Sequence, residues 1–418
     1  MLNKEGSREL AYVVTIDEIR PIPNYDRVEH ARVGGWWVIV QKGQFNVGDP
    51  AIYFEIDSKV PSDKECFAFL EKRNYKVKTL RMCKVISQGL LMHAEDFGWE
   101  IWENNNHNTN EHEVGIADDK GVIHWADRES RFLTKELGVT YADVEDNQRK
   151  APSVDKYKKM AQRHPNIFKK SWVRWLMKRA WGRKLMFVFF GKKKDKKNSW
   201  PEWVVKTDEE RVQNMPWILE DEGEWIITEK IDGSSTTFTM KRGRRKNEFY
   251  VCSRNVCFDS VDKPCYYDTN IYWEMAQKYD MYKVLNELLE RMPNANWVTI
   301  QGETYGAGVQ KRDYGLAGHD FAAFNLITSD KGRWNSHAMK NLLENGFNVP
   351  CVPILEPNFT FNMLDIMKGE SRLDKLLFLA EGESKIDGLP REGFVLRSID
   401  GTKSFKAVSN SFLLRFHS

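Results

Sequence analysis

The chain has 418 residues, a formal net charge of +3, 41% hydrophobic and 12% aromatic residues, and 15 Trp. Such a composition excludes a disordered chain, the near balance of charge excludes a polybasic coating protein, and the length asks for two or three domains at roughly 150 residues each. Six Cys with no CxxC and no zinc-finger pairing with His read as free thiols of a reducing compartment.

Short β runs separated by turns fill the chain from Ala11 to about Trp99: Tyr12–Ile19, Trp36–Val40, Ala51–Ile56 and Lys84–Met92, punctuated by Pro21, Pro23, Gly34, Gly35, Gly43, Gly48 and Pro61. This spacing predicts a small β-barrel in a first domain, 1–102. Residues 103–113, ENNNHNTNEHE, have nothing to bury and read as a loop at a domain boundary. From about 127 to 215 the character is helical, and 167–197 carries twelve basic residues against the single acid Asp195. Two readings stay open there: an amphipathic helix with Trp172 and Trp175 on its core face, or a phosphate-backbone contact with aromatics between the bases. The most apolar stretch, 171–190, is interrupted by Arg174, Lys178, Arg179, Arg183 and Lys184, which a spanning helix would not tolerate. With no signal peptide at the N-terminus, the expectation is a soluble intracellular protein, of the cytoplasm or a host cytoplasm, with no membrane partner. Residues 103–199 are therefore taken as a polar loop and basic helical insert.

From Trp217 onward, strand-like runs (Trp225–Glu229, Ser235–Met240, Phe249–Ser253, Trp297–Gln301, Phe321–Ile327, Gly393–Arg397, Ser404–Val408) alternate with helical ones (Tyr272–Glu290, Trp334–Asn345, Leu364–Lys368, Ser371–Glu381). The fold class is α+β with much antiparallel sheet, in a domain spanning 200–418.

Neither GxxxxGK[ST] nor a strand-GxGxxG-helix occurs, so no Walker or Rossmann nucleotide site is supported. Glu229-Lys230-Ile231-Asp232-Gly233 places a lysine at the end of an apolar strand and before a turn. A KxDG tetrapeptide is by itself equally at home in a surface hairpin. Further along stand Ser253-Arg254-Asn255, Gln301-Gly302-Glu303-Thr304-Tyr305-Gly306, Phe321 to Leu326, Glu392-Gly393-Phe394-Val395-Leu396-Arg397, and Lys403-Ser404-Phe405-Lys406. In order and spacing these blocks resemble motifs I, Ia, III, IIIa, IV and V of the covalent nucleotidyltransferase superfamily of ATP-dependent ligases and mRNA capping enzymes, whose catalytic domain is ATP-grasp-like.

That resemblance implies a lysine nucleophile, Lys230, that attacks the α-phosphorus of ATP, and an amine that must be neutral for the attack, its pKa lowered by cations or burial. It also implies Glu392 as a carboxylate for a hydrated Mg2+ or Mn2+, with Glu303 on the ribose hydroxyls or the metal, and Lys406 on the α-phosphate, with Lys403 beside it. Glu229 and Arg254 join the nucleotide-binding set, and Phe324 stacks on adenine, since Ala323-Phe324-Asn325-Leu326 is similar to the family's AFDL block. Asn325 departs from it where an acid is common. A plain core role stays open for Phe321 and Phe324, and a surface position for Arg397. Asp232 and Gly233 are expected to shape the turn.

The N-terminal text, Arg32-Val33-Gly34-Gly35-Trp36 through Phe45-Asn46-Val47-Gly48-Asp49 to Tyr53-Phe54-Glu55-Ile56-Asp57-Ser58, is similar to ATP-dependent RNA ligases of the Deinococcus and Naegleria type, which join an N-terminal OB module to the catalytic domain. Motif I continues as Gly233-Ser234-Ser235, without the Arg that DNA ligases place there, and no OB domain follows Lys406. Residues 206–214 also resemble that family and are expected to fold over the adenylate pocket, with Gln213 or Asn214 reading adenine. The resemblance implies sealing of 3′-OH and 5′-phosphate RNA ends, in nicked or broken RNA or in an RNA/DNA hybrid, by a monomer acting in RNA repair. OB-face candidates for RNA are Trp36, Trp37, Lys42, Lys78, Arg81 and Lys84; Trp36 and Trp37 point to opposite faces, so one of them belongs to the core. A capping-type guanylyltransferase and a non-catalytic RNA-binding relative remain as alternatives.

Overall fold

The computed structural model describes residues 1–3, 5–106, 111–142, 200–206, 208–258, 269–369 and 371–416, and isolated positions 170, 173, 176, 179, 186, 265 and 267. The basic run 167–197, with Trp172 and Trp175, lies outside the described residues apart from five of those positions.

The N-terminal domain is built from two three-stranded antiparallel sheets. One orders Ala11–Thr15, Pro50–Phe54 and Leu90–Met92; the other orders Glu18–Ile22, Tyr25–Val33 and Trp36–Gln41. In Trp36–Gln41 the side chains alternate, Trp36, Val38 and Val40 buried and Trp37 and Ile39 half-buried, as the two-residue period of a strand requires. Trp36 is thus the core member of the Trp pair. Tyr25–Val33 escapes a hydrophobicity reading because Asp26, Arg27, Glu29 and His30 dilute it. It pairs along both edges all the same.

The first domain does not stop near 102. Glu100–Asn106 pairs with Glu111–Ala117, and a third strand, Ile123–Trp125, adds to that hairpin. Beyond it Leu133 and Leu137 join Val13, Phe54 and Phe67 in one core, as does Ile116, and the Leu133 amide donates to the Ala11 carbonyl at 2.8 Å. The domain runs to about Ala142, whose amide donates to Asp57 O at 2.8 Å. Polar composition argues against burial and not against pairing, because a hairpin satisfies its backbone through its own ladder. The tract expected to be a boundary loop is therefore largely strand.

The C-terminal domain holds two antiparallel sheets. The six-stranded sheet orders Cys257–Phe258, Glu248–Ser253, Ser234–Lys241, Trp297–Gly306, His319–Thr328 and Gly332–Arg333. Ile271–Lys278 and Met281–Arg291 pack on it, burying Met275, Leu285 and Leu288 against Phe238, Val298 and Ile300. The single helix expected over 272–290 is broken at Asp280, which takes a left-handed conformation (φ 44°) before the second helix, a state Asp adopts more readily than most residues. The four-stranded sheet orders Ile354–Phe359, Trp225–Glu229, Gly393–Ser398 and Ser404–Val408. Its edge strand Ile354–Phe359 contains Pro357 and register shifts, the position where a sheet tolerates proline.

The two domains share a seam. Arg32 Nη2 bonds Asp374 Oδ1 at 2.6 Å, the Leu2 amide donates to Asn214 O at 2.9 Å, and the helix Asn410–Phe416 sets Leu413 beside Ile86 of the first domain.

Candidate active site

Lys230 stands one residue past Trp225–Glu229, a central strand buried at every position. Its amide donates to Gly393 O at 3.1 Å. Gly393 lies at φ 139°, and a Cβ there would collide with the Ala407 carbonyl oxygen, so only glycine brings the two strands this close. The chain then crosses through Ile231, Asp232 and Gly233 to the six-stranded sheet. A side chain at Gly233 would strike the Thr304 carbonyl oxygen. The KxDG segment is a crossing between sheets, not a surface hairpin.

Between the sheets lies a cleft of about 370 Å³, large enough for a mononucleotide. Lys230, Glu229, Arg254, Glu303, Phe324, Glu392 and Lys406 all line it, together with Asp208, Glu209, Asp232 and Arg397. Phe321, by contrast, is fully buried against Phe238 in the core beneath the sheet. Asn325 also turns away, its amide nitrogen bonded to Gln301 Oε1 at 3.1 Å.

Lys230 Nζ donates to Glu392 Oε2 at 2.8 Å. Burial is the largest influence on this amine and pulls its pKa down, but Glu392, Glu303 and Asp232 outweigh it, and the pKa rises above the ordinary lysine value. The expectation of a lowered pKa fails for the free site, because the groups nearest the amine are carboxylates rather than cations. Glu303 answers in kind: burial first, then Glu392 and Asp232, push its carboxyl up to about 8 against the pull of Lys230 and Arg254. The lysine with a lowered pKa is Lys406, brought down to about 8 by burial and by Lys230 and Arg211, with Asp208 and Glu210 opposing. Glu229 is buried, its Oε2 accepts from the Lys385 amide at 2.8 Å and its Oε1 has no hydrogen-bond partner.

Residues 208–211 lie along one wall as a strap. Asp208 pairs with Arg254 and approaches Lys406 Nζ at 3.7 Å; Glu209 accepts from Arg397 at 3.1 Å and from Ser404 Oγ; the Lys406 amide donates to Glu210 O at 2.8 Å. Gln213 and Asn214 take no part in the cleft lining. Gln213 packs under Gly35 of the first domain, and Asn214 Nδ2 donates to Glu210 Oε1 at 2.6 Å, because the short helical turn Val212–Asn214 carries both into the domain seam. Lys403 also stands apart, an exposed residue paired with Asp221. Alternation explains it: Lys403 precedes the strand Ser404–Val408, whose Lys406 is the member facing the cleft.

Arg397 is the functional candidate that sequence reasoning undervalued. It is 4% exposed, donates to Thr228 Oγ1 at 3.2 Å, and holds its guanidinium 5.7 Å from the Phe324 ring centroid. The available signal was a lone charge inside the apolar strand Gly393–Ser398.

Six carboxyl groups line the cleft against four cationic side chains, Lys230, Arg254, Arg397 and Lys406. A nucleotide polyphosphate adds more negative charge, so the site asks for a cation. Among the described residues no group of three or more His, Cys, Asp or Glu is placed to hold a metal alone. One or two carboxylates completed by water and phosphate is the habit of Mg2+ and Mn2+. The oxygen-only set at Glu392 and Glu303 fits that habit.

A second cavity between the domains, about 510 Å³, shares Asp232, Gln310 and Glu392 with the first and is lined by Lys78, Arg81, Arg211 and Lys311. Of the other first-domain candidates, Lys42 and Lys84 are exposed. Trp37 is flanked by Arg20 at 4.7 Å.

The RNA ligase family model matches residues 223–408, and an OB-fold domain model matches residues 10–94. Solved structures of the Naegleria gruberi RNA ligase are similar over almost the whole chain. The complex with PPi has 26% identity and a TM-score of 0.61, covering 98% of this chain and 99% of that one. A Lys-to-Ala variant with ATP and Mn gives 26% and 0.61 over 97% and 99%, and a Glu-to-Ala variant with AMP and Mn gives 26% and 0.61 over 98% and 99%. A search of curated proteins by sequence found no match.

Proposed function

We propose that this chain is an ATP-dependent RNA ligase of the Naegleria type, with an OB-fold domain ahead of its ligase domain, that seals 3′-OH and 5′-phosphate RNA ends through lysyl-AMP and AppRNA intermediates and serves RNA repair. The observation that carries this reading is the convergence of Lys230, Lys406, Arg254 and Glu392 on one cleft.

In the first step the Lys230 Nζ lone pair attacks the α-phosphorus of ATP; an N–P bond forms as the bond to pyrophosphate breaks. Before attack Lys230 must lose a proton, and Glu392 Oε2, at 2.8 Å, is placed to receive it. Lys406 and Arg254, both held by Asp208 in the free cleft, bind the phosphates and ribose once Asp208 gives way, and Phe324 stacks on adenine with Arg397 behind it. Glu229 Oε1, buried without a partner, is an acceptor for the base. When bound beside Glu392 and Glu303, Mg2+ or Mn2+ offsets the charge of the phosphates.

An oxygen of the RNA 5′-phosphate then attacks the lysyl-AMP phosphorus and frees the amine, and the 3′-hydroxyl finally displaces AMP from AppRNA. The basic cavity at Lys78, Arg81 and Lys311 opens onto the same cleft, which supports approach of the strand along the OB-fold domain. Both RNA and RNA/DNA hybrid ends suit a groove that meets the strand through its phosphates. The proposed acting unit is a monomer. No helix among the described residues is long and apolar enough to cross a membrane.

Incubation with α-labelled ATP and Mg2+ or Mn2+ tests the reading. A covalent adduct lost in Lys230→Ala is the expected result. Labelling by GTP instead of ATP would point to guanylyl transfer, and no adduct with any nucleotide sinks the enzymatic reading.

A further inference from the structure

The two acidic neighbours of the nucleophile, Glu229 at the end of its strand and Asp232 in the crossing that follows, are both fastened by loops distant in sequence. Glu229 Oε2 accepts from the Lys385 amide at 2.8 Å, and the Asp232 amide donates to the Tyr314 hydroxyl oxygen at 2.7 Å. Those loops, 307–318 and 381–391, are tied together by Arg312, which pairs with Asp387 and donates to Pro390 O at 2.6 Å. Arg312 is only 2% exposed. Its guanidinium lies 4.1 Å from the Tyr314 ring centroid, and the helix Asn410–Phe416 lays Phe412 and Phe416 over it at 5.7 and 5.5 Å.

A charge this deep is costly unless paired, and neither Arg312 nor Tyr314 lines the nucleotide cleft. A second, independent sign is the backbone. Tyr314 lies at φ 54°, a left-handed conformation that a bulky side chain adopts at a cost. Both the strain and the buried ion pair place one phenol oxygen against one amide, two residues from Lys230.

We propose that Tyr314, oriented by the Arg312–Asp387 pair, is a positioning residue for Lys230: its hydroxyl fixes the Asp232 amide and so the direction in which the Lys230 amine leaves the strand. The assignment rests on the ligase reading above. It predicts a defect confined to attack by the lysine, because a nucleophile displaced by a fraction of an ångström loses rate while the nucleotide contacts stay whole.

The test is single-turnover kinetics on Tyr314→Phe with ATP and Mg2+, beside sealing of preformed AppRNA, which does not use the lysine as nucleophile. The maximal rate of adduct formation should fall roughly tenfold to a hundredfold, with the half-saturating ATP concentration and the AppRNA sealing rate each within about twofold of the unaltered protein. Asp387→Asn should give the same selective pattern more weakly, and it decides the matter if Tyr314→Phe does not fold. An unchanged adduct rate, a shift confined to the ATP requirement, or an equal loss in AppRNA sealing would overturn the assignment. An unaltered protein that forms no adduct defeats the ligase reading itself, a result separable from all of these.

Discussion

Two amines of the nucleotide cleft differ in their surroundings: Lys230 has Glu392, Glu303 and Asp232 about it, and Lys406 is buried with Lys230 and Arg211 as cationic neighbours and Asp208 and Glu210 as acidic ones. The first amine is held protonated above its ordinary pKa, and the second is brought down to about 8. The two are shifted in opposite senses. A polyphosphate satisfies Lys406 and a divalent cation the carboxylates about Lys230, so a metal–nucleotide complex relieves both where either component alone relieves one. The free cleft is in this sense complementary to the pair.

The largest effect that would sharpen this contrast is at Glu392. Its carboxylate has two opposed consequences: it keeps Lys230 protonated, and it holds the amine at 2.8 Å while offering an oxygen to a metal. For Glu392→Gln the second should dominate, and adduct formation at saturating ATP and Mg2+ should fall on the order of a hundredfold to a thousandfold. With the raising influence gone, the residual activity should reach its plateau at lower pH than in the unaltered protein. A variant faster than the parent at neutral pH would break the comparison, since Glu392 would then be only a brake.

Next in size is the pH dependence of binding at Lys406. Bound phosphate restores the proton that this amine loses near pH 8. Below about pH 8 the free protein already carries that charge, and above it binding must take up a proton. Affinity for AMP measured with EDTA should be level from about pH 7, where the ligand's phosphate is already dianionic, to about 8 and fall above that, by up to about tenfold per pH unit. Lys406→Met should weaken binding roughly tenfold or more at pH 7 and remove the decline. Calorimetry in buffers of different ionisation enthalpy would show whether a proton is taken up.

How much of this could be read in the sequence depends on the range of the interaction. Trp225–Glu229 and Ser404–Val408 were legible to the residue because the apolar content that marks them is local, and the motif spacing led to seven residues that share the cleft. What escaped reading involves contacts across distant segments. Nothing near Lys230 in sequence announces that Glu392, 162 positions away, sets its protonation, so the pKa was expected in the wrong direction. Gln213 and Asn214 sit in a segment that does reach the cleft, but through Asp208 and Glu209; one short helical turn decides which members face it. The N-terminal domain was cut some forty residues short because a polar hairpin looks like a linker until its partners in the core, Leu133 and Leu137, are known.

The smallest effect concerns Glu303 and stability, and it tests whether the groups about Lys230 and Lys406 itself are shifted in opposite senses. Glu303 keeps its proton up to about pH 8 in the folded chain, against an ordinary value of 4.5. Between those values the folded state binds a proton that the unfolded state has lost. Its contribution to stability is therefore whole below about pH 4.5 and lost as pH rises through about 8. Lys406 runs the other way: its folded pKa near 8 lies below its ordinary 10.5, so the unfolded state binds the extra proton and this contribution improves as pH rises from 8 to 10.5. Glu303→Gln should accordingly flatten the fall in Tm between pH 5 and 8 and raise Tm at pH 8 by roughly 2–4 °C, the shift expected of about 1 kcal/mol in a domain of this size. Lys406→Met should flatten the opposite slope above pH 8. Parallel Tm profiles for Glu303→Gln and the unaltered protein would mean that the carboxylates around Lys230 are already neutralised by that lysine, and the cleft would then lack the unsatisfied negative charge that its affinity for a divalent cation requires.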